Sequence, residues 1–173
     1  MDIARNGSPV RLLGERTSGG RRTVFSFRCV SCDEEHKGMP TFGWRYPIQY
    51  LDVPESERQS RCVSTSDTCV IDKKFFFVRG CIEIPVVDEE EPFAWGTWAS
   101  LSEKHFLHFQ ELFGVPKRSH FGPFVGWLSS YIWLYPDTIN LKTHVHLRDD
   151  GIGPYIELEP ADHRKGPVNH VLS

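Results

Sequence analysis

Apolar and polar side chains alternate over several short stretches of the chain, and this two-residue period is typical of half-buried β-strands. The alternation is clearest in INLKTHVHL, where Ile139, Leu141, Val145 and Leu147 are apolar and the residues between them are polar. Turn sequences such as DDGIGP separate the stretches and predict tight connections. The pattern therefore predicts short strands joined mainly by turns, namely VFSFRC, CVID, FFFVRGCIEIPV, FAWGTWASL, INLKTHVHL and YIELE.

Two stretches have helical patterns instead. In SLSEKHFLHFQELFG three phenylalanines recur at i, i+3 and i+7, and Ser100 and Glu103 have the spacing of a capping box. The glycine and proline that follow predict the end of this helix. In DVPESERQSR, Asp52 predicts an N-cap with a proline just inside a short helix.

Strands outnumber helices, and the chain has neither a βαβ alternation nor a Gly-rich phosphate loop. We therefore predict an α+β fold, mainly an antiparallel sheet with one or two helices and a small zinc-knuckle-like turn near the N-terminus. Residues 1–22 are rich in Gly, Ser and Arg and lack an apolar period, which predicts a flexible tail. Residues 23–173 are long enough to bury a core and are predicted to form a single domain.

Composition and charge narrow the functional classes. The net charge of -3 disfavours a protein that binds nucleic acid by neutralising phosphates. No apolar run approaches the roughly 18 residues of a membrane span, and the start has no apolar core of a secretory signal, so we expect a cytoplasmic protein without membrane contact. Five cysteines, an odd number, fit thiols or metal ligands better than a disulfide framework.

The clearest candidate chemistry is the C-x2-C pair of Cys29 and Cys32, because a tight turn brings two such sulfurs within reach of one zinc ion. His36 is close enough to be a third ligand, and Cys69 or Cys81 on the predicted hairpin would be a fourth. The alternative is that these cysteines are buried as small hydrophobic residues, as free cysteines often are. A structural zinc ion held by some of these five residues would pin the N-terminal strand to the hairpin.

The turn of the predicted hairpin limits which cysteines can meet. A two-residue turn at Lys73 and Lys74 places Cys69 and Cys81 on opposite faces. A three-residue turn that includes Asp72, or a β-bulge, places both cysteines on one face. A site made of four cysteines therefore requires the longer turn or the bulge.

A redox role for Cys29 and Cys32 is the rival chemistry, since C-x-x-C at a helix start lowers a thiol pKa. Here a strand precedes the motif, and DEEHKGMP is a poor helix. The acidic residues 33–35 also oppose a thiolate. The sequence therefore favours metal ligation over redox chemistry.

Two pairs of closely spaced histidines complete the set of possible metal ligands. His144 and His146 share one face of a predicted strand with a lysine and an arginine, which favours solvated polar residues over a metal pair. His105 and His108 lie three apart on the predicted helix without the acidic residue of an H-E-x-x-H motif. We interpret them as surface and packing residues.

No local catalytic signature is present, neither G-x-S-x-G nor a cysteine beside histidine and aspartate. A catalytic triad assembled across the fold stays open. Five aromatic residues either line a ligand groove or, more commonly for strands, pack in the core: Trp95, Trp98, Trp127, Trp133 and Tyr135.

Several longer segments occur in a recognisable order: CVSC, SDTCVIDKKFFFVRGCIEIPV, EPFAWGTWASLSE, FGPFVGWL, YPDTINLKTHVHL and IELEPADH. Together they resemble the uncharacterised bacterial family known as domain of unknown function 2199, from about Phe25 to His163. The resemblance implies a shared fold and assigns no activity or substrate. Family members usually have glycine after the second cysteine, so Asp33 is expected to adopt a left-handed turn conformation here. The resemblance draws attention to Cys29, Cys32, His36, Asp67, Cys69, Asp72, Arg79, Cys81, Glu83 and His163.

The absence of catalytic signatures, together with the half zinc site, favours a non-enzymatic cytoplasmic module that acts through protein contacts. An adaptor or immunity-like protein with a structural zinc site is the leading hypothesis. The alternative is a metal- or thiol-dependent enzyme with an aromatic-lined cleft. It requires convergence of the histidines with Cys69, Cys81, Asp72 and Arg79.

Overall fold

The computed structural model of the chain describes residues 26–28, 33–38, 41–87, 92–132, 135 and 137–160. These residues form ten strands and three helices, one helix more than the upper number predicted. The strands are β1 (Ser26–Arg28), β2 (Glu35–Lys37), β3 (Thr41–Gly43), β4 (Cys62–Ser64), β5 (Thr68–Ile71), β6 (Phe75–Ile84), β7 (Phe93–Leu101), β8 (Phe124–Leu128), β9 (Lys142–His146) and β10 (Tyr155–Leu158). The helices are α1 (Ile48–Asp52), α2 (Glu55–Arg61) and α3 (Glu103–Glu111). The predicted tail, residues 1–22, lies outside the described residues.

Five strands close into a barrel. β6, β7, β8, β9 and β10 pair in chain order, and each of these four pairs is antiparallel. The fifth pair closes the barrel between β10 and β6 and is parallel, because the first and fifth strands of an up-and-down series run in the same direction. β3 extends the sheet beside β7, and β5 and β4 extend it beside β6. The predicted predominance of antiparallel strands is confirmed.

The barrel interior is filled by the inward side chains of the strands and by one helix. Val78, Ala99, Val145 and Ile156 are fully buried there, and apolar residues of α3 pack against them. Gly80 lies at the parallel seam, where an added Cβ would meet the Pro154 carbonyl oxygen at 2.7 Å. Glycine at this position therefore lets β10 approach β6 closely enough to close the barrel.

A second apolar cluster covers the outer side of β5, β6 and β7. Cys69, Phe77 and Trp98 are buried there against Val53 and the aromatic residues around α1. The Trp98 indole donates a hydrogen bond to the Trp44 carbonyl at 3.1 Å. On the other side of the barrel, outer side chains of β8 remain exposed, so this wall meets solvent.

The hairpin of β5 and β6 has the three-residue turn that the sequence left open. Ile71 pairs with Phe75, which leaves Asp72, Lys73 and Lys74 in the turn. Asp72 and Lys73 have φ values of 53° and 55°, the left-handed conformation of a tight turn. Cys69 and Cys81 consequently have the same orientation relative to the sheet.

Both predicted helix starts are wrong by a few residues. Ser102, not Ser100, caps α3, and its hydroxyl oxygen accepts a hydrogen bond from the His105 backbone N–H at 3.3 Å. Ser100 instead pairs within β7, which continues through Leu101. Asp52 ends α1 and does not cap α2, because the proline at position 54 disfavours helical geometry in the residue before it and separates the two helices.

A buried arginine holds the loop that follows α3. Arg118 is 3% exposed and its guanidinium donates to four backbone carbonyls, those of Leu112, Phe113, Arg148 and Ile152. The Asp149 carboxylate accepts the backbone N–H groups of Arg118 and Ser119, both at 2.8 Å. These contacts join the end of α3 to the turn between β9 and β10. None of the described helices is long and apolar enough to cross a membrane.

Candidate metal centre

The hairpin of β9 and β10 was predicted as a pair of strands, and its register builds the strongest candidate site. Tyr155 pairs with His146 and Glu157 pairs with His144. Thr143 and Val145 are fully buried and point into the barrel. Alternation along the strand therefore directs His144 and His146 to the outer face, where they meet Glu157.

The three side chains present their ligand atoms close together. The ligand atoms of His144, His146 and Glu157 all lie within 4.8 Å of one another. Ligand atoms around a tetrahedral ion with bonds of about 2.0–2.2 Å lie about 3.4 Å apart, so small side-chain rotations bring these atoms to bonding distance. Two imidazoles and one carboxylate form a ligand set that suits zinc and other divalent transition metals.

Each histidine also contacts a carboxylate directly. His146 Nε2 lies 2.9 Å from Glu157 Oε2, and His144 Nε2 lies 2.9 Å from Glu159 Oε1. The same Glu159 oxygen accepts a hydrogen bond from Lys142 at 2.7 Å. The hydrogen bond from Lys142, together with the nearby His144, lowers the pKa of Glu159 despite partial burial. Glu159 is therefore an ionised group at the edge of the candidate centre.

The sequence showed the two histidines but not their acidic partners. The available signal was the E-x-E pair of Glu157 and Glu159 in the facing strand, on the same face as His144 and His146. That signal depends on register, because a shift of one residue would turn both glutamates to the opposite face. The sequence favours solvated side chains for His144 and His146, and the structure places both partly exposed, each in contact with a carboxylate.

A depression of about 610 Å³ adjoins the candidate centre and shares His146 with it. Tyr155, Glu83 and Arg148 line it together with two prolines. Arg148 forms an ion pair with Glu83 and donates to the Cys81 sulfur at 3.2 Å. An ion pair thus lies beside the Cys81 thiol, with Arg148 as its cation and Glu83 as its anion.

The two hairpin cysteines occupy different surroundings. Cys69 is fully buried, and burial raises the pKa of its thiol to about 11. Cys81 is half-buried, and burial raises the pKa of its thiol while Arg148 opposes the shift. Cys69 pairs with Phe77, four residues before Cys81 on β6, so the two thiols are separated by about 13 Å along the strand. At most one of them can join a site with the N-terminal pair.

The predicted zinc site at Cys29 and Cys32 falls outside the described residues and stays a prediction. The strands that flank it pair as a hairpin, with His36 opposite Phe27. Asp33 has φ 58°, the left-handed turn conformation expected for it, and its carboxylate accepts a hydrogen bond from Arg28 at 2.8 Å.

Among the described residues, Asp72 and Cys69 lie apart from Cys81, so the groups named for the thiol-dependent enzyme do not all converge. Asp72 lies in the hairpin turn and forms two hydrogen bonds with Arg61, at 2.8 and 2.7 Å, which lower the pKa of its carboxyl group. Cys69 is sealed within the outer apolar cluster. Arg79 pairs with Trp98 on β7. His163 lies outside the described residues.

The aromatic residues and the helix histidines have several separate roles. Trp98 is buried in the outer cluster, whereas Trp127 and Tyr135 are 41% and 62% exposed. Trp133 lies outside the described residues. His105 and His108 pack against Phe124 with ring centroids at 5.7 and 5.5 Å, as packing residues do.

The family comparison agrees with the order of motifs. The chain belongs to the family described as uncharacterized protein conserved in bacteria (DUF2199), whose model matches residues 28–166. No curated protein and no solved structure matches the chain. The matched range contains all three residues of the candidate metal centre.

Proposed function

We propose that this member of an uncharacterised bacterial family is a metal-binding protein that holds one divalent transition-metal ion, with zinc as the expected ion, at His144, His146 and Glu157. The observation that carries the proposal is the convergence of three ligand atoms within 4.8 Å on the outer barrel wall. The position is built on paired strands, which hold ligands more accurately than loops do.

The arrangement favours a centre with an open coordination position. Structural zinc sites usually have four protein ligands, whereas three protein ligands leave room for water or an external group. The two histidine side chains are 27% and 36% exposed, so an ion and an external ligand can reach them. Zinc supplies Lewis-acid chemistry when bound, and the protein residues position it.

Metal titration in a background that lacks the N-terminal cysteine pair but keeps Cys62, Cys69 and Cys81 tests the proposal. The Cys29→Ser/Cys32→Ser protein is stripped of metal and titrated with Zn²⁺ against a chromophoric chelator. One ion per chain is expected. His144→Gln, His146→Gln and Glu157→Gln should each weaken binding by more than the roughly 10- to 100-fold typical for loss of an outer partner of a ligand.

His120→Gln is the matched control, because His120 is exposed and lies outside the three-residue set. It should bind zinc like the background protein. Cobalt substitution separates the two candidate sites, since only thiolate ligands produce a sulfur-to-cobalt charge-transfer band. Absence of zinc binding in the background protein would contradict the proposal. So would ligand variants that all bind zinc as tightly as the background protein does.

The second candidate function is the adaptor or immunity-like role in the cytoplasm, through contact with a protein partner. Val125 and Trp127 support it, because they are 40% and 41% exposed on β8 and pair with His144 and Lys142 on β9. Exposed apolar residues beside charged ones are common in protein interfaces. The metal centre and the apolar residues would then belong to one binding face.

Crosslinking and pull-down from the native host cells tests this role. A partner recovered with the wild type and with Tyr135→Ser should be lost with Val125→Ser and Trp127→Ser. Tyr135 is a suitable control because it is also exposed, at 62%, but is not on β8. Recovery that is unchanged by the β8 substitutions would refute this binding face.

A further inference from the structure

Glu159 occupies an unusual position relative to the candidate metal centre. Its backbone N–H donates to the Lys142 carbonyl at 3.0 Å, so it continues the β9–β10 ladder by one residue. Its side chain lies on the same face as Glu157, and Oε1 is 2.9 Å from His144 Nε2. A carboxylate that contacts a coordinating nitrogen is near enough to become a fourth ligand.

Lys142 competes for the same oxygen. Its ammonium group lies 2.7 Å from Glu159 Oε1, closer than His144 does. When an ion takes the His144 nitrogen, that nitrogen no longer donates to Glu159. The ion pair with Lys142 does not require His144 and can persist in the metal-bound protein.

We propose that Lys142 keeps Glu159 outside the coordination sphere, so that the ion retains three protein ligands and accepts a small anionic oxygen ligand, a carboxylate or a phosphate oxyanion, at its open position. This inference rests on the proposed function. Lys142 is a positioning residue in this scheme, because it acts through Glu159.

The net charge of the metal-bound centre explains why the external ligand would be an anion. A divalent ion with two neutral imidazoles and Glu157 keeps a net positive charge, and Lys142 neutralises Glu159. An incoming anion therefore meets an electropositive centre. If Glu159 were itself coordinated and Lys142 absent, the centre would be neutral and its open position filled.

Zinc affinity in the Cys29→Ser/Cys32→Ser background tests the role of Lys142. Lys142→Gln frees Glu159 to coordinate and should raise affinity by about tenfold or more. Lys142→Arg retains the charge and should leave affinity within about threefold of the background. Lys142→Gln/Glu159→Gln should lose the gain, which would show that the gain requires Glu159.

A spectroscopic titration tests the open position. The cobalt-loaded background protein should change its visible spectrum when acetate or phosphate is added, and the Lys142→Gln variant should respond much less. A gain in affinity without loss of anion binding would overturn the inference. So would a large loss of affinity in Glu159→Gln alone, because Glu159 would then be a ligand in the wild type.

The background protein separates the two proposals. If it binds no zinc, the proposed function fails and this inference fails with it. If it binds zinc through His144, His146 and Glu157 but Lys142→Gln binds no more tightly, only the inference about Lys142 is wrong.

Discussion

Replacing Gly80 by alanine should open the parallel seam of the barrel. Gly80 lies in the middle of β6, opposite the segment that leads into β10. An added Cβ would lie 2.7 Å from the Pro154 carbonyl oxygen and 2.9 Å from the buried Ile156 side chain. A backbone carbonyl cannot rotate away as the end of a flexible side chain can, so the seam must widen.

The expected magnitude follows from three effects. Overpacking of a filled interior costs about 1–3 kcal/mol. Widening also weakens the hydrogen bond from the Cys81 N–H to the Pro154 carbonyl, now 3.0 Å, which is worth about 1 kcal/mol. Alanine restricts the unfolded chain and returns about 0.4–1 kcal/mol. The net loss should be about 2 kcal/mol, or a Tm lower by roughly 4–8 °C for a chain of this length.

Urea unfolding followed by tryptophan fluorescence measures this loss as a lower midpoint with an unchanged slope. Gly153→Ala is the matched control, because no atom lies within 4 Å of its added Cβ and it precedes the same proline. This control should equal the wild type or be slightly more stable. A Gly80→Ala protein as stable as the wild type would refute the idea that close approach at this glycine closes the barrel.

Three further substitutions test other parts of the fold. Ser102→Ala should lower the free energy of unfolding by about 0.5–2 kcal/mol through loss of the α3 cap, measured by urea unfolding; an unchanged midpoint would contradict the cap assignment. Arg118→Met removes a donor from four backbone carbonyls, of which, among the described residues, only that of Leu112 also accepts a backbone N–H, that of Val115, and should cost about 3 kcal/mol or more. A loss under about 1 kcal/mol would show that water replaces the guanidinium. Backbone N–H groups of Ser119 and Arg118 lower the pKa of Asp149 to about 2, below its unfolded value of about 3.9, so its stabilisation is present above about pH 4 and lost as pH falls towards 2. Asp149→Asn should therefore differ most from the wild type at neutral pH and least near pH 2 in thermal unfolding, and a difference that does not change with pH would contradict this account.

Local patterns predicted the hairpins well. The β5–β6 and β9–β10 pairs were visible because alternation and turn residues lie close together in the sequence. The turn length of the first hairpin stayed open, since Asp72 is compatible with both a strand end and a left-handed turn position.

Such local patterns could not predict the closed barrel. β6 pairs with β7, β5 and β10, and only the first two of these partners adjoin it in sequence. Its inner and outer faces are both covered in part, so the run FFFVRGCIEI lacks the strict alternation of a half-buried strand. The prediction that Ser100 caps α3 was wrong for a related reason. At Ser100 and Leu101, β7 pairs with both β6 and β8, and this pairing extends the strand past Ser100.

Only the two histidines of the candidate metal centre could be identified from the sequence. His144 and His146 were identified as a possible pair, but the choice between solvated residues and metal ligands depended on the facing strand. Glu157 becomes a candidate ligand only through the register of β9 against β10, which places it on the outer face opposite His144. Spacing within one strand carries no information about that opposing residue.

The parallel seam also has a consequence for how the chain folds. Cys81 and Tyr155 form the register pair of the seam, with three barrel strands and α3 between them in sequence. Contacts between such distant positions incur the entropy of a long loop, and folds rich in them form slowly. During synthesis, the edge of β6 that faces the seam stays uncovered until β10, the last barrel strand, has been made. A nascent chain that ends before β10 therefore leaves the seam-facing edge of β6 open to pairing with other chains.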